Sequence, residues 1–260
     1  MNNKDITEKD VHAFWNNRAA LGLDAGSNDV TAKQVEIEAI ASYVKDGMRM
    51  LDFGCGSGVT ALELASRFKV EIIGIDYAEE MINTAHKLAS GFKDKSSSLR
   101  FQVGDAGSLS SLTGRFDMIY SERAIINMKN WVEQRDTIIA LTELLVPGGS
   151  YVMCENSLEG LDSINELRLN VGLKAINPPW HNRYLSDKEI NSIDIPGVTL
   201  EEVNHFSSTY YFLSRVVNAW LSEREGKEPS YDAPVNKLAL SLPTIGKSGQ
   251  GRIWVWRKDI

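Results

Sequence analysis

Five short apolar runs recur between residues 48 and 156, at 48–53 (MRMLDF), 70–76 (VEIIGID), 99–105 (LRFQVGD), 116–121 (FDMIYS) and 150–156 (SYVMCEN). Helix-forming stretches separate most of them: VTALELASRF, EEMINTAHKLAS and NWVEQRDTIIALTELL, the last ending at VPGG. Strands alternating with helices predict a parallel sheet covered on both faces, because right-handed crossovers allow little else. Upstream, 29–45 places Val30, Val35, Ile37, Ile40, Ala41 and Val44 at helical intervals, with Asn28 or Asp29 as cap and Gly47 as terminator. Beyond 157 the rhythm changes. A helix is expected from 157, a loop at INPPWHNRY because two prolines break regular structure, a strand at 198–206, a helix at 208–223 and a last strand at 251–259. The final two strands are expected to be antiparallel neighbours at the sheet edge, with about 45 residues inserted between them, more than a hairpin needs.

Ligands of such sheets bind beyond the carboxyl ends of the strands. The loop after the first run is LDFGCGSG, with Gly54, Gly56 and Gly58 alternating and Cys55 between the first two. A phosphate-binding P-loop needs a Lys and a Ser or Thr after its glycines, whereas Gly58 is followed by Val59 and Thr60. A dinucleotide loop of the form G-x-G-x-x-G would place a small residue where Val59 stands. Asp52, just ahead of the loop, would repel a pyrophosphate and suits a cationic ligand. Asp76 ends the second strand, where a carboxylate accepts both hydroxyls of a ribose. Asp105 ends the third, within reach of an adenine amino group. Ribose, adenine and a cation without pyrophosphate describe S-adenosylmethionine.

In these motifs the sequence resembles the class I S-adenosylmethionine-dependent methyltransferases of small-molecule type. LDFGCGSG, IIGIDYAEEMI, VGDAGSL, FDMIYSERAIINM and LLVPGGSYVMCEN follow one another as that family's motifs do, over 48–156. The resemblance implies an α/β, Rossmann-like, seven-stranded and mostly parallel sheet with an antiparallel last strand and helices on both faces. The crowded aromatic and polar residues of KAINPPWHNRYLS and the long insertion before the last strand are expected to form a helical and loop lid, after strand 5 and between strands 6 and 7. The chain then reads as one domain: an N-terminal helical cap (1–47), a cofactor-binding core (48–156), an acceptor-side lid region with strand 6 (157–250) and the last strand (251–260). Carried over, Gly54, Cys55 and Gly56 pack against the methionine part of the cofactor. Asp76 holds the ribose, Tyr77 flanks the adenine, Asp105 and Ala106 face its amino edge and ring, and Ser121 lies near the methionine amino group. FWNNRAALG (14–22) looks like the segment that closes over the cofactor, with Arg18 on its carboxylate.

Methyl transfer is an in-line displacement that rests on alignment. A base is needed only when the nucleophile must lose a proton. His181 is the first candidate base, with Glu155 and Glu122 at the ends of strands 5 and 4 as the others. Arg123, Trp180, Asn182, Arg183, Tyr184, His205 and Tyr210 are the expected acceptor-side residues. No metal site is expected. The expected activity is methyl transfer to a small polar acceptor, a sugar or an acid, at a hydroxyl oxygen. Its rivals are N-methylation, a NAD-dependent enzyme and a non-catalytic cofactor-binding protein. The net charge of −7 and the absence of a basic stripe argue against nucleic acid. With no long apolar run and two distant cysteines, Cys55 and Cys154, a cytoplasmic monomer or homodimer without membrane contact is expected.

Overall fold

In the computed structural model, residues 7–93 and 96–260 are described. Residues 1–6 of the expected N-terminal cap, and residues 94 and 95 of the expected core, lie outside them. Seven strands form one sheet in the order β3-β2-β1-β4-β5-β7-β6. They are β1 (Arg49–Phe53), β2 (Glu71–Asp76), β3 (Ser98–Val103), β4 (Phe116–Glu122), β5 (Leu145–Asn156), β6 (Val198–Asn204) and β7 (Gly251–Lys258). The pairs from β3 across to β5 are parallel, and β7 runs antiparallel to both β5 and β6. This is the expected Rossmann-like α/β sheet with an antiparallel last strand.

The central strands are buried on both faces, so they read as continuous apolar runs. Alternate residues divide the core. Leu51, Phe53, Ile73, Ile75, Ile119, Tyr151, Trp254 and Trp256 face one layer. Met50, Ile72, Met118, Tyr120, Val152, Ile253 and Val255 face the other. Helices α1 (Glu8–Arg18), α2 (Val30–Ala41), α3 (Val59–Arg67), α4 (Glu79–Ser90), α5 (Trp131–Glu143) and α6 (Leu158–Asn170) fall close to the expected stretches.

Two differences have physical causes. Strand β5 begins at Leu145, ahead of the expected 150, and takes in the VPGG that was to separate helix from strand. Its register against β4 shifts between Phe116 and Met118, and that irregularity accommodates Pro147 without a ladder donor. The helix expected from 208 is broken into α7 (Ser208–Tyr211), a π-helical segment (Phe212–Asn218) and α8 (Ala219–Arg224). Side-chain periodicity does not report a widened turn. Among the described residues no helix is long and apolar enough to cross a membrane.

Candidate active site

At the carboxyl ends of the strands lies a cavity of about 1260 Å³. That exceeds the roughly 300–1,000 Å³ of a typical single-ligand pocket, so it has room for two small molecules side by side. One half is built by the loops after β1, β2 and β3. In the glycine loop, Gly54 and Cys55 donate to Ile75 O at 2.8 and 2.9 Å, locking the turn against β2. Gly54 and Gly56 both have positive φ, but for different reasons. A Cβ on Gly54 would sit 2.4 Å from the Ala124 Cβ, whereas nothing lies within 4 Å of a Cβ on Gly56. The first glycine admits a neighbouring loop, and the second leaves backbone open to a ligand. Asp76, nearly buried, accepts from Gly56 N and Ala78 N, both at 2.9 Å. Burial raises its pKa, and those two donors oppose the rise. Two of its roughly four lone-pair positions are thus taken and two remain. Asp52 lines the cavity and its Oδ2 has no hydrogen-bond partner. Burial pushes its pKa up to about 7. Tyr77, Asp105 and Ala106 complete this half, with Asp105 also capping the turn Ala106–Ser111 through Ser108 N.

The other half is closed by α1, α2, the turn after β4 and the segment around residues 174–186. Phe14 of α1 stacks on His181 at 4.4 Å between ring centres, and Trp180 meets both rings edge-on. Asn127 Oδ1 accepts from Trp15 Nε1 at 3.3 Å and from Asn182 Nδ2 at 2.9 Å, joining three segments at one atom. Arg183 pairs with Glu189 at 2.5 Å and donates to Gln134 Oε1 at 2.6 Å, which pins its segment to α5. Between the halves stands a buried charge cluster. Glu122 accepts from Lys33 through both oxygens at 2.7 Å and from Thr60 Oγ1 at 2.5 Å. Arg123 pairs with Glu36 at 3.3 Å and approaches Glu122 at 4.0 Å. Burial alone would raise the Glu122 pKa, but Lys33 and Arg123 outweigh it and bring it to about 2. Burial dominates at Glu36 and pushes it up to about 8, so it is the protonated member.

Of the three candidate bases, Glu122 is therefore an ionised partner of Lys33. Glu155 is buried and does not line the cavity. It accepts from the Ser121 hydroxyl and from the N–H groups of Ala124, Ile125 and Ile126, at 2.9–3.3 Å. It anchors the turn after β4, and the expectation of a base there is corrected. Glu155→Gln would set an amide N–H₂ against these donors, so it is expected to cost about 1–3 kcal/mol in denaturant unfolding. Burial holds Glu155 at about 7, Asp52 at about 7 and Glu36 at about 8. Their pKa values are higher folded than unfolded, so the unfolded chain releases these protons first. The stability they contribute is present below about pH 4 and is lost as pH rises towards 8. Thermal melts are expected to fall over that window, and Glu36→Gln should flatten the slope.

His181 does line the cavity. Burial and the nearby Arg18 lower its pKa to about 4, so its imidazole is neutral. Arg18 also faces the cavity, but its donors go to Ala25 O, Asp24 O and Asn28 Oδ1, at 2.7, 3.1 and 2.9 Å. Those bonds secure the turn after α1. Arg123, Trp180, Asn182, Arg183 and Tyr184 also line the cavity. Ser121, His205 and Tyr210 do not. The Ser121 hydroxyl is fully buried on Tyr151 and Glu155. Strand β6 is the outer edge of the sheet, beyond β7, and carries His205 away from the cleft. Tyr210 is packed with Ala32 and Ile164 and donates to Asp29. Sequence reasoning missed Lys33 and Glu36. Their signal was two charges three residues apart on the same face of α2 as Ala32 and Ile40.

Residues 44–177 match a family model described as a methyltransferase domain. Phosphoethanolamine N-methyltransferase 3 of Arabidopsis thaliana is 34% identical over 87 residues, 34% of this chain and 17% of that protein. Trans-aconitate 2-methyltransferase of Deinococcus radiodurans is 33% identical over 103 residues, 39% of this chain and 35% of that protein. The chain thus matches well under half the length of these relatives. Among solved structures, magnesium protoporphyrin IX methyltransferase from Synechocystis PCC 6803, with bound SAH, superposes with a TM-score of 0.53 at 14% identity, covering 99% of this chain and 90% of that one. A mycolic acid cyclopropane synthase complexed with SAH gives 0.54 at 16% identity, covering 87% and 84%. These two likenesses concern the fold.

Proposed function

Because this chain belongs to the methyltransferase-domain family, which its match over residues 44–177 establishes, we propose that it uses S-adenosylmethionine to methylate a carboxylate oxygen of a small acid. The NAD-dependent alternative falls away with the family. The residues fit the cofactor: open backbone at Gly56, two spare lone-pair positions on Asp76, and an unpartnered buried oxygen on Asp52. The Gly54–Gly56 loop would hold the methionine part, Asp76 the ribose, and Tyr77, Asp105 and Ala106 the adenine. When bound, the cofactor supplies an electrophilic methyl on a sulfonium whose departure needs no proton.

The observation that carries the acceptor class is the commitment of all three candidate bases. Glu155 is spent on four donors, Glu122 is ion-paired, and His181 is a weak base. A hydroxyl acceptor needs its proton removed, whereas a carboxylate arrives ionised at neutral pH. The cluster on the cavity wall adds attraction for an anion. Lys33 and Arg123 face one ionised carboxylate and one protonated one, leaving net positive charge. The relative named for trans-aconitate, an acid anion, agrees with this reading. The chain's own task is then alignment: the aromatic contacts of Phe14, Trp180 and His181 hold α1 against the 174–186 segment while the cations orient the acceptor.

The test is a panel of carboxylic acids, alcohols and amines incubated with methyl-labelled cofactor and read by product mass. A methylated product cleaved by mild alkali is expected, as only an ester would be. An alkali-stable product would overturn the acceptor class. His181→Gln is expected to lose less than about tenfold in kcat, where removal of a working base costs about 10²–10⁴-fold.

A further inference from the structure

The π-helical segment Phe212–Asn218 lies in the insertion between β6 and β7 and sends Arg215 to the cavity wall. Widened turns of this kind are rare and tend to occur at functional sites. The guanidinium lies over two rings, 5.3 Å from the centre of Tyr211 and 4.9 Å from that of Tyr231. Two of its five N–H groups go to Asp29 and Ser214, so three are left without a partner among the described residues. Asp29 does not cancel the charge by itself. It also caps α2 through Ala32 N at 3.0 Å and accepts from the Tyr210 hydroxyl. Its negative charge is therefore shared with the positive end of that helix.

Position gives this arginine a use. The cofactor half of the cavity is formed by the loops after β1–β3, while Arg215 stands on the side built by the insertions. Arg123, Tyr184 and Arg215 line the same cavity, so the two guanidiniums face one acceptor space. We infer that Arg215 binds a second anionic group of the acceptor, a carboxylate or a phosphate, and so selects small dianions over monocarboxylates. This rests on the carboxylate reading above for the reacting end, with Lys33 and Arg123 at that end and Arg215 at the other.

The test is calorimetric binding to the protein saturated with S-adenosylhomocysteine. Succinate and adipate form one arm, butyrate and hexanoate a second, and 3-phosphonopropionate a third. The wild type is expected to bind the preferred dianion at least tenfold more tightly than its monocarboxylate counterpart. The dicarboxylate and phosphonate arms tell which second group is held. Arg215→Gln should erase the preference, and Arg215→Lys should leave an intermediate one, since an ammonium lacks the planar fork. If the Gln variant does not fold, the Lys variant and the wild-type comparison still decide. Equal wild-type binding of monoanions and dianions, or a preference unchanged in either variant, would overturn the inference. Failure of the parent reading looks different: no alkali-labile product forms from any acid, whatever Arg215 binds.

Discussion

Arg123→Ala is expected to lower the unfolding free energy by about 1–3 kcal/mol, the loss typical of leaving buried carboxyl oxygens without a neighbouring donor. Arg123 stands between Glu36 and Glu122, whose side chains are 4% and 5% exposed. Without the guanidinium, Glu122 retains Lys33 and Thr60, but the protonated Glu36 loses the polar group 3.3 Å from its carboxyl. The backbone allows a control. Arg123 is the one described non-glycine residue with positive φ, at 54°, and it is held there by its N–H to Cys154 O at 2.9 Å. A left-handed non-glycine residue costs about 1–2 kcal/mol, so Arg123→Gly should lose less than Arg123→Ala by about that amount. Denaturant unfolding of the two variants separates the charge from the backbone. A destabilisation under 1 kcal/mol for Arg123→Ala would mean that solvent entering from the cavity compensates the charges.

The same cluster marks where sequence reasoning ran out. The sheet was readable because strands buried on both faces must be continuously apolar, and the residues at their ends, Asp52, Asp76 and Asp105, follow from strand order alone. Their pattern is local in sequence, and so is that of the glycine loop. Lys33 and Glu122 are 89 residues apart, as are many contacts on the acceptor side, and nothing local in either stretch announces the pairing. Glu155 shows the opposite failure. It ends its strand at the right height, yet its oxygens meet three consecutive backbone N–H groups of the turn after β4. A carboxylate at a strand end reads as chemistry until the donors that surround it are counted. His181 lies on the expected loop, but Phe14 and Trp15 of α1 partly bury it and Arg18 stands nearby, which together make it a poor base.

Asp76→Ala is expected to weaken S-adenosylhomocysteine binding by about two to four orders of magnitude. A hydrogen bond to a charged group contributes roughly 1.5–3 kcal/mol, and Asp76 has two lone-pair positions left for a pair of hydroxyls. At about 1.4 kcal/mol per tenfold, losing both accounts for that range. The variant also frees Gly56 N and Ala78 N, so the glycine loop loses its tie to the end of β2. Asp76→Asn separates the two effects. Its amide oxygen can accept one of the two backbone N–H groups, while its N–H₂ opposes the other and weakens what a diol can donate to. Asn should therefore sit between wild type and Ala in affinity. Calorimetry of both variants, alongside far-ultraviolet dichroism to confirm the fold, gives the answer. Binding within threefold of wild type in the Ala variant would mean that the ribose is held elsewhere. The carboxylate would then serve only to shape the loop, and the cofactor's position in the cavity would have to be argued again from Asp52 and Asp105.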